Sequence, residues 1–565
     1  LCLAFGCTKS YAQNSTQQVS VTGRVADANG HPLPGANIIE KGTTNGTQAD
    51  FDGEFSLELK RKSAVLVISY LGYASQEIAI TNQKELAIRL IEGAAGLDEV
   101  VVVEYGTQSK AKVANAISTL KAANIVDSPI TSFEEAIAGE LPGVQIVQTS
   151  GDPGSSSDIN IRGVGTLTAN ARPLIVVDGF PSEDFRIKSL NPSSIESINV
   201  LKDAASAAIY GSRGSNGIII VTTKKGAQGP MKLTYDGYAG FQQVANTIDM
   251  QDAYERARYV AEARKTRGRA PLELYQPYLI GKPGLTNTNW QDEIFRTASI
   301  QNHNITASGG NEQMTYFVSG GYFEQDGIVL GSKYNRMNFR TNLTFDISEK
   351  LKAGLHIAPA FARRNKVSDS DHKGDGVILT ALIANPLFSP YNSDGSLNLS
   401  GDMLLSAREN GQAPVENPVA LALLNTDKRK QFDLLSGGFL EFEPVENLVF
   451  KTYLGGNYTE SDRRAFSPSK VGSYSVLADD KPATIFESDF EKKNWVVENT
   501  VTFHKASSDS HDLKILIGQA YQTEETETTG SSPLVAIVEE YDDLVTTTFP
   551  KFEEKWTLLS YFSRL

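Results

Sequence analysis

From about Lys232 onward, the chain contains long segments in which apolar and polar side chains alternate with a period of two. The clearest stretch is residues 335–347. Its apolar set is Met337, Phe339, Leu343, Phe345 and Ile347, and its polar set is Arg336, Asn338, Arg340, Asn342, Thr344 and Asp346. Because successive side chains of a strand point to opposite faces, the pattern predicts a β-strand with one apolar face and one charged face.

Comparable segments make ten predicted strands, most of them long enough to cross a bilayer at a tilt, which takes roughly nine to eleven residues. They lie near residues 232–244, 297–309, 313–325, 335–347, 351–362, 431–443, 448–459, 493–504, 512–524 and 554–565. Their short turns are Gly309–Glu312, Ser348–Lys350, Glu443–Asn447 and Lys505–Asp512, which alternate with long polar loops such as 363–430 and 460–492. Alternating connections are typical of an outer-membrane β-barrel, whereas a soluble sandwich with two-faced strands has no need of them.

Net charge and amino-acid composition limit which partners and which kinds of fold are possible. The formal net charge of −14 argues against nucleic acid. The 21 Tyr, 25 Phe and 47 Gly suit a chain of many strands and turns. The sequence contains no apolar run of eighteen or more residues, which excludes a transmembrane helix and leaves a barrel open.

Residues 1–12 are predicted to be the remnant of a secretory signal peptide, with Ser10-Tyr11-Ala12 as the cleavage site. A lipid anchor on Cys7 is the competing interpretation, although Ala4 stands where a larger aliphatic residue is usual. The stretch has no initiator Met and no basic leader, so we expect an incomplete N-terminus. Since Cys2 and Cys7 are the only cysteines, the mature chain would have no disulfide and no thiolate site.

Residues 19–92 are predicted to form a small β-sandwich of six or seven short strands. Alternating segments such as Phe55–Leu59 are separated by turn clusters at Asp27–Gly30, Gly42–Gly46 and Asp50–Gly53. Asp50 and Asp52 have the spacing of two ligands in a calcium-binding loop, but the remaining ligands of a calcium-binding loop are missing. A tight turn is therefore the better interpretation.

The segment 96–108 contains four consecutive valines, which favour an extended backbone. The valines and their neighbours are Asp98, Glu99, Val100, Val101, Val102, Val103, Glu104 and Tyr105. One interpretation is a last strand of the preceding sandwich. The other is an extended peptide that adds to a sheet edge of a partner through main-chain hydrogen bonds, a contact that resists a pull with little demand on side chains.

Residues 111–229 are predicted to be a mixed α/β domain. Its predicted elements are strands near Ala116–Leu120, Val144–Gln148, Ile159–Ile161 and Leu174–Val177, a helix over Ser132–Gly139, a short alanine-rich helix over Lys202–Ile209 and a final strand over Ile218–Thr223. Gly163-Val-Gly165 lacks the third glycine of a dinucleotide site. The glycines from Gly211 to Gly217 are followed by Ile218 in place of the lysine that a phosphate loop needs, so both segments are predicted to be turns.

The run LKDAASAAIYGSRGSNGIIIVTTKKG closely resembles the end of the plug domain in SusC/RagA-type TonB-linked outer-membrane transporters. The plug phrases LPGVQIVQTSG, INIRGVGTL and PLIVVDGFP are similar too, and VTGRVADANGHPLPGANI, FDGEFSLEL and ISYLGYASQEI resemble the carboxypeptidase-regulatory-like domain that precedes the plug. The resemblance covers essentially the whole chain. It implies a mainly β protein, with a carboxypeptidase-regulatory-like β-sandwich at 19–92, an α/β plug at 111–229 and the first part of a transmembrane antiparallel β-barrel at 230–565.

The resemblance also implies site residues. Residues 96–108 would be the TonB box, with Asp98–Tyr105 binding TonB, although Glu104 stands where the family commonly has Gly, which puts the register in doubt. The plug motif would be Arg162, Gly163, Asp178, Gly179, Lys202, Asp203, Tyr210, Gly211, Arg213 and Gly217. We expect scaffold roles for Arg162, as a buried arginine with carboxylate or carbonyl partners, and for Asp178, in a tight Asp-Gly turn. The polar loop 150–158 is the better place for a mobile element.

The function implied is import across the bacterial outer membrane, energised by TonB–ExbB–ExbD, with a SusD-like surface lipoprotein as lid and with the N-terminal domain and TonB box in the periplasm. An oligosaccharide is the expected cargo, and a peptide is the alternative, because the loops carry no readable code. Ten strands cannot close around a plug of about 120 residues, so we expect a fragment that stops inside a strand at Tyr561–Leu565.

Two other classes of protein fit the sequence less well. A secreted glycan-binding or adhesive β-protein would explain the sandwich and the strands, but not the alternating connections. An enzyme is least favoured, because the 6 histidines are scattered and the sequence has no HExxH, no GxSxG and no paired-acid cluster that can be placed in one pocket. We therefore expect no catalytic residue, no cofactor and no metal.

Overall fold

The computed structural model divides the chain into two compact units, residues 1–114 and 115–565. The residues that it describes are 19–28, 30–40, 43, 45–59, 64–70, 73, 76–80, 85–91, 100–103, 106–109, 117–121, 132–148, 150–166, 171–182, 190–203, 208–368, 376–399, 415–469, 471, 483–508, 511–530, 534–536 and 550–565.

The first unit contains a small sandwich. Its strands are β1 (Val19–Ala26), β2 (Asn37–Glu40), β3 (Gly46–Gln48), β4 (Glu54–Leu59), β5 (Ala64–Ser69), β6 (Gln76–Ile80) and β7 (Glu85–Arg89), followed by β8 (Val100–Val103) and β9 (Gly106–Ser109). Sheets β4-β1-β7 and β3-β2-β5-β6 share one apolar core. Every second residue of β4 is buried, beginning with Phe55. The alternation of side chains along the sequence therefore places one set of them in this core. The expectation of a small sandwich is confirmed.

The second unit begins with a mixed α/β domain, which we call the plug. Its elements are β10 (Ile117–Lys121), α1 (Phe133–Ile137), β11 (Val144–Gln148), β12 (Ser157–Ile161), β13 (Leu174–Val177), β14 (Phe180–Ser182), β15 (Ile195–Leu201) and β16 (Ile218–Thr223), with 3-10 turns at Pro192–Ser194 and Ala208–Gly214. Five strands form one sheet in the order β10-β15-β16-β13-β14, and β11 pairs with β12. Of the helix predicted over Lys202–Ile209, residues 204–207 lie outside the described residues, Lys202 and Asp203 are not helical, and a 3-10 turn begins at Ala208.

A large antiparallel sheet follows, which we call the wall. Its strands are β17 (Gly229–Gln242), β18 (Ala298–Gly310), β19 (Met314–Asp326), β20 (Lys333–Ser348), β21 (Leu351–Lys366), β22 (Thr426–Val445), β23 (Leu448–Ser467), β24 (Ala483–Ser508), β25 (His511–Gly530), β26 (Leu534–Ala536) and β27 (Lys551–Arg564). The ten long strands pair in chain order, and short β26 pairs with β24.

The connections of the wall alternate in length, as expected. By the bounds of the strands, connections of two or three residues at 311–313, 349–350, 446–447 and 509–510 alternate with longer ones at 243–297, 327–332, 367–425, 468–482 and 531–550. Helices within the long segments are α2 (Ala253–Lys265), α3 (Gln276–Leu279), α4 (Trp290–Ile294), α5 (Val377–Ile383) and α6 (Pro418–Leu424), with a 3-10 turn at Glu273–Tyr275.

The prediction of a long loop over residues 460–492 is wrong at both ends, because the two flanking strands extend into this range. Residues up to Ser467 continue β23, and residues from Ala483 onward belong to β24. These extensions are rich in charge, which resembles a loop in sequence, but the charges pair with neighbouring strands. The Arg463 Nη2 atom, for example, lies 2.8 Å from Asp427 Oδ2 of β22.

The two faces of the wall have the polarity opposite to that of a soluble protein. On β20, Met337 and Phe339 are 59% and 45% exposed, whereas Arg336 and Arg340 are each 3% exposed. The buried polar residues of the other strands include Asn304, Ser319, His356, Asp433, Asn457, Lys492, Asn494, Gln522 and Glu524. Apolar side chains therefore point outwards and charged side chains point towards the plug, which is the arrangement of a transmembrane barrel. Among the residues described, no helix has the length and apolar character needed to span a bilayer.

We predict that Leu343→Arg, near the middle of the apolar stripe on β20, lowers the free energy of unfolding by about 2–4 kcal/mol, because the charge would face hydrocarbon. The matched variant is Ile347→Arg at the end of the same stripe, which should cost about 0–1 kcal/mol. Urea unfolding of the protein in phospholipid vesicles measures both. Equal losses of unfolding free energy for the two variants would mean that this face of β20 is in water and not in lipid.

Candidate functional site

The plug meets the wall at the turn between β13 and β14. Val177 pairs with Phe180, so Asp178 and Gly179 are the two turn residues. Their φ angles are 48° and 92°. Positive φ at both central positions is the geometry of a type I′ hairpin, which glycine and aspartate accept more readily than most residues. The tight turn expected here is formed, and it aims the Asp178 carboxylate at the wall.

A cluster that we call the latch surrounds this carboxylate. It consists of Asp178, Thr223, Arg340 and Asn342. The Thr223 backbone N–H donates to Asp178 Oδ1 at 2.9 Å, and the Thr223 hydroxyl donates to Asp178 Oδ2 at 2.7 Å. The Arg340 guanidinium of β20 forms an ion pair with the same carboxylate, and the two side chains are only 3% and 10% exposed.

The latch is charged at neutral pH. Burial alone would raise the pKa of the Asp178 carboxyl, but the Arg340 guanidinium and the hydrogen bonds from Thr223 outweigh burial and hold that pKa below its ordinary value. A second contact extends the latch, because Asn342 Nδ2 donates to Thr223 Oγ1 at 2.9 Å and to the Lys224 carbonyl at 2.6 Å. The wall strand β20 is therefore bonded to the β13–β14 turn through Arg340. Through Asn342 it is also bonded to Thr223 and Lys224, at the start of the segment that connects the plug to β17.

Other contacts tie the plug to three further wall strands. Asn191 Nδ2 lies 3.0 Å from Asn304 Oδ1 on β18, and Arg364 Nη2 on β21 lies 2.8 Å from Asp152 Oδ2. On β25, Gln522 Nε2 donates to the Pro181 carbonyl at 3.1 Å. Leu435, Tyr453 and Val496 of the wall join the apolar core of the plug.

Among the sequence-predicted plug residues, Arg162 departs from expectation. Its guanidinium pairs with Asp203 and donates to the Lys202 carbonyl at 3.3 Å. Its side chain is 52% exposed, so the expected burial is wrong. Its φ of 55° turns the chain after β12 and directs the side chain across the surface. The carboxylate and carbonyl partners are present nonetheless.

The remaining motif residues are spread over the plug and do not converge on one pocket. Tyr210 is buried in an apolar cluster with β13 and β16, and Arg213 contacts Gln522 of the wall. The Lys202 Nζ atom contacts Ser118 Oγ and the Pro142 carbonyl. Gly163, Gly179, Gly211 and Gly217 all have positive φ. A structural role for these motif residues therefore remains a prediction, and their contacts support it.

The valine segment is a strand. Val100–Val103 pairs antiparallel with Gly106–Ser109 in a sheet of two strands, separate from both sheets of the sandwich. The structure thus gives no support to its interpretation as a last strand of the sandwich. Asp98, Glu99, Glu104 and Tyr105 lie outside the described residues.

The polar loop 150–158 lies against the wall near the ends of β19 to β21 that are remote from the short turns. Besides the Asp152–Arg364 ion pair, Gly154 lies so close to Tyr334 that an added Cβ would be 2.5 Å from the ring. The loop expected to be mobile is therefore held at two points in this structure.

Two of the cavities formed by the described residues lie among the longer connections or at the strand ends that lead into them. One of about 850 Å³ is lined by residues 247–252, 287–291, 381–384 and 386, and includes Asn287, Thr288 and Asn289. The other, of about 380 Å³, is lined by Lys366, Asp427, Arg463 and Phe486. Arg463 makes two hydrogen bonds to Asp427, at 3.0 and 2.8 Å, and lies 4.8 Å from the Phe486 ring centroid. Sequence reasoning missed this site because its residues fell in predicted loops.

These cavities present amide, hydroxyl, carboxylate, guanidinium and aromatic groups. Such groups can bind a polar solute by hydrogen bonds and stacking. Among the residues that the structure describes, no cluster of three or more His, Cys, Asp or Glu side chains is placed to hold a metal ion.

Comparison with known proteins gives the family. The model of the TonB-dependent Receptor Plug Domain matches residues 109–218, and that of the CarboxypepD_reg-like domain matches residues 21–102. TonB-dependent receptor P3 of Formosa agariphila is 34% identical over 522 residues, which are 90% of this chain and 48% of the relative. TonB-dependent receptor SusC of Bacteroides thetaiotaomicron is 33% identical over 480 residues, 81% of this chain and 46% of the relative. This chain belongs to the SusC/RagA-type TonB-dependent receptors.

The chain spans about half the length of the curated relatives it matches. Among solved structures, the RagAB peptide importer in its open-open state has a TM-score of 0.70 at 22% identity, covering 82% of this chain and 54% of that one. At that identity the likeness shows the fold alone, and the fold is that of a plugged receptor.

We predict that Arg340→Met lowers the free energy of plug unfolding by about 3–5 kcal/mol, because it leaves the Asp178 carboxylate buried without its counter-ion. The matched variant Arg162→Met removes an exposed ion pair and should cost about 0–1 kcal/mol. Hydrogen exchange of β16 amides under increasing urea measures both. The double variant Asp178→Asn/Arg340→Met should recover part of the loss. Equal losses for Arg340→Met and Arg162→Met would contradict the latch.

Proposed function

We propose that this chain belongs to an importer that moves a nutrient across the bacterial outer membrane by a pull delivered from TonB. The observation that carries the proposal is a plug held by buried polar contacts against the polar face of an outwardly apolar wall. A plug seated in this way blocks passage at rest. Because it is held by discrete ion pairs and hydrogen bonds, a mechanical force can rearrange it.

The segment that would receive the force is Asp98–Tyr105. Its described part, Val100–Val103, is already a strand whose main-chain groups suit addition to a sheet edge of TonB. The proposed source of the force is TonB with ExbB and ExbD. In this arrangement the N-terminal sandwich, the TonB box and the short turns of the wall lie in the periplasm, and the longer connections lie outside the cell.

On the outer side, we assign the cargo to the cavities between the longer connections, covered by a SusD-like lipoprotein. Amide and hydroxyl groups such as those of Asn287, Thr288 and Asn289 suit the hydroxyls of an oligosaccharide, which is the proposed cargo. A peptide is the alternative, because the similar RagAB complex is described as a peptide importer.

A secreted adhesive protein is the competing class. It would have to keep Met337 and Phe339 exposed to water on a continuous apolar face. Soluble proteins rarely do so over a large area. Extraction of the native protein by salt without detergent would favour that class.

We predict that deleting Asp98–Tyr105 from the full-length receptor leaves cargo binding unchanged and abolishes uptake, because the pull can no longer be applied. Val102→Pro should act in the same direction by removing a main-chain N–H, whereas Val102→Thr, which keeps it, should import normally. Uptake and surface binding are measured with a panel of labelled oligosaccharides and peptides, and the imported members identify the cargo. Undiminished uptake by the deleted form would refute the role of this segment.

A further inference from the structure

The outward face of the wall has a band whose height matches the hydrocarbon of a bilayer. On β22, the outward side chains run from Phe442, next to the short turn at 446–447, to Phe432. The intervening stretch of strand spans about 33 Å, which is about 25 Å along the membrane normal at the usual tilt of a barrel strand. The apolar band of an outer-membrane barrel has this height, and aromatic side chains mark its two borders. Phe432 therefore lies at the border remote from the short turns.

Aromatic side chains of three strands form that border. Phe361 of β21 is the direct cross-strand partner of Phe432, and the centroids of the two rings are 4.7 Å apart. The centroid of the Tyr458 ring of β23 lies 6.1 Å from that of Phe432. Aromatic rings are enriched where the hydrocarbon meets the lipid headgroups. The next outward residues along β21 and β22 are therefore at the level of the headgroups.

Three exposed cations occupy this level, namely Arg363 of β21 and Lys428 and Lys430 of β22. We call them the basic patch. Because side chains alternate along a strand, Arg363 points outward like Phe361, two residues before it. Arg363 lies directly opposite Lys430, and Lys428 lies directly opposite Arg464 of β23. Like charges opposite one another on neighbouring strands destabilise a sheet, so this arrangement needs an anion.

The neighbouring cations on the same face have carboxylate partners. The Lys333 Nζ atom lies 2.7 Å from Glu324 Oε1, and the Arg464 Nε atom lies 3.4 Å from Asp462 Oδ1. Asp462 is opposite Lys430 in the register, but its carboxylate pairs with Arg464. Within the part of the chain that the structure describes, the basic patch makes no hydrogen bond and no ion pair. The anion that it needs would have to come from outside the chain.

We propose that the basic patch binds the phosphate group of a lipid whose acyl chains lie along the apolar band below it. Arg363 and Lys430 face one another across about 5 Å, and Lys428 lies about 7 Å further along β22, so all three reach one phosphate. A phosphate monoester supplies up to two negative charges and three acceptor oxygens. The aromatic border directly below the patch favours a lipid over free phosphate. This site lies outside the barrel and is separate from the cargo cavities. That its leaflet is the outer one rests on the proposed function.

The test is native mass spectrometry of the full-length receptor in a non-ionic detergent, titrated with phosphatidic acid. It gives the dissociation constant of the first lipid bound. The variant Arg363→Gln/Lys428→Gln/Lys430→Gln should weaken this binding by at least about tenfold, because each Lys or Arg near an anionic headgroup contributes roughly a factor of five.

A matched variant removes the same number of charges from outward cations that already have carboxylate partners. It is Lys333→Gln/Lys493→Gln/Lys555→Gln, whose lysines pair with Glu324, Glu491 and Glu525. Since those charges are already neutralised, the dissociation constant of the first phosphatidic acid should change by less than about twofold.

Thermal melting of the same proteins separates a lipid site from a structural contact. In detergent without added lipid, the basic-patch variant should be at least as stable as the unchanged receptor, because it loses two like-charge pairs. Phosphatidic acid should raise the Tm of the unchanged receptor and of the matched variant, and it should leave the Tm of the basic-patch variant unchanged.

Four results would overturn the proposal. Equal binding of phosphatidic acid by the two variants would mean that the patch is not the site. Diacylglycerol bound as tightly as phosphatidic acid would mean that phosphate is not recognised. Displacement of the lipid by an equal concentration of inorganic phosphate would assign the patch to a free anion. A lower Tm of the basic-patch variant without lipid would mean that the cations have a partner within the protein. None of these measurements uses cargo or TonB, so loss of TonB-dependent uptake would sink the proposed function without touching them.

Discussion

Buried charge on the inner face of the wall is the constraint on which the structure depends. A strand that shows its apolar residues to lipid must send its alternate residues inwards, and here those residues include arginine, lysine, aspartate and glutamate. Arg340 and Lys492 are both deeply buried, so each needs a counter-charge. Asp178 provides it for Arg340, and Glu524, 2.9 Å away, provides it for Lys492. The plug and the wall are therefore complementary surfaces that stabilise one another.

This complementarity has an apolar and a polar component. Apolar packing joins the plug core to Leu435, Tyr453 and Val496, and polar contacts such as the Asp178–Arg340 ion pair act at single points. The latch acts at the β13–β14 turn and at the exit towards β17, so it fixes the half of the plug sheet that is farther from Val100–Val103 in the chain. The plug strand that comes first after Val100–Val103 is the edge strand β10. The order of elements along the chain thus places the latched part and the first strand of the plug at opposite sides of the sheet.

Much of this fold follows from the sequence because two signals are local. The period of two along β20 and the alternation of connection lengths predicted the wall, and Asp178-Gly179 predicted a hairpin turn. Which partner a charge finds is a long-range property that one sequence does not reveal. Asp178 and Arg340 are far apart in the chain, and Arg463 and Asp427 fell within predicted loops, because charges that pair across strands have the same composition as charges in water. Arg162 was expected to be buried for a related reason, since exposure after a turn depends on where the backbone directs the side chain.

The most direct measurement is lipid accessibility along β20. A spin label is placed in turn at positions 337 to 346 of the receptor in liposomes, and its relaxation by lipid-soluble oxygen is compared with that by a water-soluble nickel complex. Labels at Met337, Phe339, Leu343 and Phe345 should be reached by oxygen, and those at the alternate positions, Asn338 and Asn342 among them, should be shielded from oxygen by the plug. Oxygen access at the even positions, or no alternation at all, would contradict a wall that turns its apolar face to lipid and its charges to the plug.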